Sequence, residues 1–177
     1  MMINIIFALF ATTPYCDVMK DKSFYLSEYR QKTVCQNVEF LKEKTKEEGI
    51  RDSLMVALIY VESGWKKTVV STAGACGLTQ VLPKYTGKIT RRYTCKQLKN
   101  PRTSIRAGVK ILRWWINYHS KNQPRGRTYT DEEIIKRSLC SYNAGFRCGA
   151  KQKPSRGGMR YAKKVLSVEK RIKSLNK

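Results

Sequence analysis

One carboxylate stands out by where it falls. The stretch from Leu54 to Val61 is almost wholly apolar, and it ends on Glu62. A carboxyl group that closes a buried apolar helix loses much of its hydration, which favours its neutral form. Such a glutamic acid can be tuned from about 4.3 in model peptides towards about 6, which suits a proton donor at neutral pH. The competing reading is a helix-end residue that caps the helix or pairs with Lys66 or Lys67. After Glu62 no Asp or Glu occurs until Asp131. Asp131, Glu132 and Glu133 sit at the start of a predicted helix, where acids favour the helix dipole in any case. They are poor candidates for a second catalytic carboxylate. Taken by themselves these residues favour the helix-end reading of Glu62; the chemistry it could otherwise do is general acid/base work.

Other chemistries find no support. There is one histidine, His119, and the six cysteines (16, 35, 76, 95, 140 and 148) include no C-x-x-C. No zinc-type ligand set follows, and neither a phosphate-cradling Gly loop nor a serine elbow appears. No metal or cofactor is expected. An even number of cysteines without metal spacing points to disulfides and an oxidising compartment. Cys16 with Cys35, Cys76 with Cys95 and Cys140 with Cys148 would each close a short loop. Six small buried thiols are the alternative.

Thirty-six Lys and Arg against 13 Asp and Glu give a formal net charge of +23. Such an excess concentrates polyanions at the surface and speeds encounter with them. Nucleic acid and an anionic cell envelope both qualify. The chain lacks zinc-finger spacing, an RNP-type motif and a clear helix-turn-helix, so nucleic acid is the weaker choice.

The elements that must hold Glu62 read as mainly α, with at most a minor β element. Residues 17–48 carry spaced apolar positions (Phe24, Val34, Val38, Leu41) and form one or two amphipathic helices stopped by Gly49. Asp52 or Ser53 caps a helix from Leu54 to about Ser63, apolar on every side and hence buried. Residues 64–83 are rich in Gly, Ser, Thr and Ala and read as turns. Ser104 is a plausible cap for a helix with Ile105, Val109, Leu112, Trp115 and Ile116 on one face. Thr130 and Glu133 are spaced as a capping box for a helix through Ile134, Ile135 and Leu139. A last helix covers Met159 to about Leu175. Residues 1–15 read as a short signal peptide or an apolar N-terminal arm, 16–49 as an N-terminal helical extension, and 50–177 as the main domain with a basic C-terminal helix.

Several spaced motifs then fall in one order: E-S-x-W from Glu62, Ser71, G-A-x-G-L-x-Q ending at Gln80, V-x-P at Val81, "NPRTSIRAGVKIL", Y-N-A-G from Tyr142, and "YAKKVL" from Tyr161. Together they resemble the catalytic domain of the soluble-type lytic transglycosylases, over roughly residues 54–166. The resemblance implies a lysozyme-like fold of the goose-type/lytic transglycosylase kind in a single domain. It implies peptidoglycan as substrate, cleaved between N-acetylmuramic acid and N-acetylglucosamine to leave a 1,6-anhydromuramoyl end. Glu62 matches the family's single acid/base. Ser71, Gln80, Tyr142 and Asn143 match positions that line the groove or hold the reacting sugar, and their hydroxyl and amide groups suit sugar hydroxyls and N-acetyl groups. Trp65 and Leu78 are expected in the core, and Gly74, Gly77 and Gly145 in tight turns or close backbone approaches.

Two departures stand out. Thr79 replaces the methionine common in the family's G-L-M-Q motif and is expected to give the groove a smaller, polar wall. "SRGGMRY" offers no acidic residue before Tyr161. An exported monomer bound to wall by charge is expected. The alternatives are a hydrolytic goose-type muramidase, with Asp131 the first residue to consider for activating water, and a non-catalytic basic protein that binds wall or nucleic acid.

Overall fold

The helix that carries Glu62, α3 (Asp52–Ser63), runs through the middle of the molecule. Leu54 through Ile59 are fully buried, because α3 is enclosed by α2 (Glu28–Glu47), by α8 (Arg156–Leu175) and by residues from the rest of the chain. The computed structural model describes residues 14–149 and 153–176. Most of the stretch read as a signal peptide or apolar arm, residues 1–13, lies outside them.

Among the described residues the remaining helices are α1 (Pro14–Val18), α4 (Pro83–Ile89), α5 (Cys95–Leu98), α6 (Pro101–Lys121) and α7 (Asp131–Ala144). Single 3-10 turns occupy Lys22–Phe24 and Gly145–Cys148. β structure among the described residues amounts to two isolated bridges, Val70 with Cys76 and Cys76 with Val81. α7 packs between α6 and α8. Val34, Val38 and Leu41 of α2 share one apolar cluster with Leu54 and Ile59 of α3 and Val165 and Ile172 of α8.

Polar groups fix the start of α3. Tyr15 donates to Asp52 Oδ1 at 2.8 Å. Glu169 of α8, buried, accepts two bonds from Arg51 at 2.8 and 3.1 Å and one from Ser53 at 2.9 Å. A buried carboxylate this well paired keeps its charge without an orphaned lone pair. At the other end of α3, Tyr60 donates to Phe24 O at 3.0 Å, tying the helix to the first 3-10 turn.

Helix ends differ from expectation in instructive ways. Neither Asp52 nor Ser53 caps α3: the N-cap is Arg51, and Asp52 is the first helical residue. α6 begins at Pro101, three residues before Ser104, and is capped by Asn100, whose side chain accepts from Thr103 N. Pro101 at the first helical position favours that start, since it has no N–H to satisfy. α8 begins at Arg156, with Ser155 as cap, three residues before the expected start at Met159, so it includes Gly157 and Gly158. The capping box of Thr130 and Glu133 is present.

Three disulfides, Cys16–Cys35, Cys76–Cys95 and Cys140–Cys148, staple α1 to α2, the turn region to α5, and α7 to the 3-10 turn after it. Closing loops of these lengths, 19, 19 and 8 residues, stabilises the fold by on the order of 3 kcal/mol each in the chain-entropy view.

Candidate active site

Glu62 sits in the last turn of α3, and Gly64 ends that helix in the left-handed conformation (φ 54°). Trp65 follows with φ 60° and is fully buried, so the chain turns back at once towards the core. Ser63, next to Glu62, donates to Leu78 O at 2.8 Å. That bond brings the Gly77-Leu78-Thr79-Gln80 turn alongside the acid. Gly77 is required there: its φ is 78°, and a Cβ would lie 1.9 Å from Leu98 O.

Tyr161 of α8 donates its hydroxyl to Glu62 Oε1 at 2.5 Å. Burial raises the Glu62 carboxyl, the Tyr161 bond offsets part of that rise by favouring the ionised form, and the net result is about 7. Among the described residues no lysine or arginine forms an ion pair with Glu62; Lys67 instead lies over the Tyr29 ring at 5.7 Å. Tyr142 of α7 donates to Thr79 O at 2.8 Å. Burial, and then the Glu62 charge, raises the phenols of Tyr142 and Tyr161 well above their usual value, so both remain proton donors.

A cleft of about 680 Å³ opens beside this group. One wall is the segment from Gln80 to Ile89, the other runs from Ser141 to Arg147, and Ile111, Trp114 and Trp115 of α6 lie between them. Phe146 at the rim is 59% exposed. Glu62 and Tyr161 do not line the cleft, but Tyr142, which does, is near enough to Glu62 for its charge to raise the phenol. No carboxylate lines it among the described residues.

Of the residues read from sequence, Gln80, Tyr142 and Asn143 come together in this cleft. Gln80 holds a left-handed backbone (φ 47°), and its amide N donates to Val69 O and Gly77 O at 3.2 and 2.9 Å, which fixes the turn. Ser71 does not line the cleft: its hydroxyl accepts from Ala75 N at 3.0 Å and closes a turn. Thr79 forms no wall either. It is fully buried, facing α6, where its hydroxyl donates to Ser104 O at 2.8 Å and its side chain rests on Gly108. Ser104, expected as a cap, is thus an anchor for this turn. Trp65 and Leu78 lie in the core. His119 is fully buried, with Nε2 2.9 Å from Ser141 Oγ, and burial lowers it to about 4, so it stays neutral.

Tyr161 was not among the candidate site residues. It lies 99 residues from Glu62, and only its place at the head of "YAKKVL" marked it. In the sequence, Trp114 and Trp115 fit a packed helix or at most a groove wall, and the structure puts both on the cleft.

The geometry therefore defines a lysozyme-like α domain with one raised carboxyl group beside an aromatic cleft. In backbone architecture it is similar to the 70 kDa soluble lytic transglycosylase of Escherichia coli (TM-score 0.60, 22% identity, 80% of this chain and 24% of that one). It is likewise similar to an inactive mutant of the lytic transglycosylase Slt from Pseudomonas aeruginosa (TM-score 0.62, 20% identity, 92% of this chain and 30% of that one). The transglycosylase SLT domain family matches residues 39–165, and the chain belongs to that family. It is 37% identical over 71 residues to the endo-type membrane-bound lytic murein transglycosylase A of Klebsiella pneumoniae, covering 36% of this chain. A relative of the same name from Citrobacter koseri is 35% identical over 71 residues. The chain spans about a third of the length of these curated relatives (35%).

Proposed function

We propose that this chain is a peptidoglycan lytic transglycosylase with Glu62 as its sole acid/base. The observation that carries the reading is the Glu62 carboxyl, raised to about 7, bonded to Tyr161 and, among the described residues, in no ion pair. Near neutral pH a substantial fraction of it is protonated and able to donate. Family membership and the names of its relatives support the same reaction.

In the first step Glu62 gives its proton to the glycosidic oxygen between N-acetylmuramic acid and N-acetylglucosamine, and the C1–O bond breaks. The muramoyl N-acetyl oxygen supports the developing positive charge, in the place an aspartate takes in two-carboxylate glycosidases. Glu62, now ionised, removes the proton from the sugar's C6 hydroxyl as that oxygen bonds to C1. The product is a 1,6-anhydromuramoyl end, and no water is consumed. Because the nucleophile belongs to the substrate, it needs no separate positioning. Tyr161 donates to the carboxylate in its ionised form and orients it. Asn143, Gln80 and Tyr142 face the glycan from the cleft.

A hydrolytic route through Asp131 fits the geometry poorly. Asp131 and Tyr142 lie at opposite ends of α7, roughly 16 Å apart at the helical rise of 1.5 Å per residue. The net charge of +23 favours a monomer held on an anionic envelope, in the oxidising, exported setting that the disulfides suit.

The test is mass spectrometry of soluble fragments from purified peptidoglycan, with Glu62→Gln as control. Fragments ending in 1,6-anhydromuramic acid, absent with Glu62→Gln, are expected. Reducing muramic ends would mean hydrolysis, and fragments made equally by Glu62→Gln would remove Glu62 from the reaction.

A further inference from the structure

The disulfide Cys140–Cys148 closes one wall of the cleft. Both sulfurs are buried, and the eight-residue loop they close contains the whole wall from Ser141 to Arg147. Gly158, in the first turn of α8, lies against both sulfurs. A Cβ on Gly158 would stand 2.7 Å from both sulfurs and 3.0 Å from Cys140 O. Tyr161 is the next residue of that helix on the same face, one turn on, and it bonds to Glu62. Ser155, the cap of α8, also donates its N–H to Arg147 O at 3.1 Å.

We propose that Cys140, Cys148 and Gly158 are positioning residues for the active site. The disulfide sets the seat of α8 against α7, so that Tyr161 reaches Glu62 while the Tyr142–Arg147 wall holds its shape. This rests on the reading of Glu62 given above. Two thiols cannot stand in the disulfide's place without change, because unbonded sulfurs need van der Waals separation, far beyond a covalent bond of about 2.05 Å. Gly158 is already in contact with both, so the extra space comes from moving α8 or the wall. Cys16–Cys35 has no such role, since the loop it closes contributes nothing to the cleft.

The functional consequence is dependence on oxidation. Reduction by a small dithiol transfers two electrons and two protons to the protein, breaks the S–S bond to leave two cysteine thiols, and converts the reagent to its cyclic disulfide. A chain in a reducing compartment would then be poorly active, and would gain activity when the disulfide forms.

The experiment compares Cys140→Ala/Cys148→Ala with Cys16→Ala/Cys35→Ala, each assayed well below its own Tm. The first pair should lower kcat on peptidoglycan by at least about tenfold, while the second stays within about twofold of wild type. A second readout does not depend on activity: the titration of Glu62 followed by carbonyl NMR. Loss of the Tyr161 bond raises the Glu62 midpoint in the first pair and leaves it unchanged in the second. Gly158→Ala, which keeps the disulfide but displaces α8, should raise it too, and stands in if the cysteine variant fails to fold. Equal kcat in the two cysteine pairs, or an unmoved Glu62 midpoint in both Cys140→Ala/Cys148→Ala and Gly158→Ala, overturns the proposal. If wild type makes no Glu62-dependent fragments but the midpoint still shifts, the assigned reaction fails and the positioning of Tyr161 stands.

Discussion

Tyr161 donates a hydrogen bond to Glu62 at 2.5 Å, across 99 residues of sequence and between the last turn of α3 and the first half of α8. The bond favours the carboxylate, whereas burial favours the acid, and burial is the larger effect. Replacing Tyr161 with Phe removes the smaller effect alone. The Glu62 midpoint should therefore rise above about 7, and the alkaline limb of the pH–rate profile should move upward with it. We expect kcat to fall by roughly 10- to 100-fold, with the far-UV spectrum unchanged.

Glu62→Gln separates catalysis from stability. Glu62 has a folded-state pKa raised from 4.5 to about 7. Between those values the folded chain holds a proton that the unfolded chain has released, so wild-type stability falls as pH rises through this window. Glutamine is indifferent to pH. The variant should lose activity, match wild type near pH 4 and exceed it at pH 8 by up to about 3 kcal/mol, read by urea unfolding at both pH values.

Glu169 should behave in the opposite sense. Desolvation acts to raise its pKa, but bonds from Arg51, Lys173 and Ser53 outweigh it and the net shift is downward. Its contribution is present above the unfolded glutamate value and is lost as pH falls through the lower folded value. Glu169→Gln should cost about 2 kcal/mol at pH 7 and progressively less under acid, as measured by Tm between pH 7 and 3.

Gly77→Ala should be among the most damaging single changes. It combines a left-handed φ with a Cβ 1.9 Å from a backbone oxygen that no side-chain rotation relieves. A loss of at least about 3 kcal/mol is expected. Gly74→Ala offers the contrast: its φ is 81° but its Cβ would meet nothing within 4 Å, so only the conformational cost of about 1 kcal/mol remains.

Binding to wall should weaken with salt. Every charged residue between Glu62 and Asp131 is Lys or Arg, and among the described residues the ion pair that reaches this stretch is Arg127 with Glu133. Raising ionic strength from ~0.05 to ~0.5 M shortens the screening length severalfold. Sedimentation of the protein with insoluble peptidoglycan should drop over that range.

Local signals carried much of this architecture. The apolar run of α3 and its terminal acid, the capping box of Thr130 and Glu133, and the one-sided periodicity of α6 were all readable, because each is set by residues within a turn or two. α4 and α5 were not assigned: they are seven and four residues long, too short for a period to show. The resemblance pointed to Gln80 and Asn143, which line the cleft, but the placing of Ser71 and Thr79 was not legible. A hydroxyl on a turn can face solvent, cleft or backbone, and only the packed partners (Ala75 N for Ser71, Ser104 and Gly108 for Thr79) decide which. Tyr161 was hidden for the same reason, since its role depends on how α8 docks.

The three disulfides follow one another along the chain, Cys16–Cys35, Cys76–Cys95 and Cys140–Cys148, with no loop nested in or crossing another. A chain threaded N-terminus first into an oxidising compartment presents each cysteine's native partner as the next cysteine to emerge. Pairing in order of arrival would give the native set, so for a chain exported in this way an oxidase acting during translocation would suffice without a disulfide isomerase.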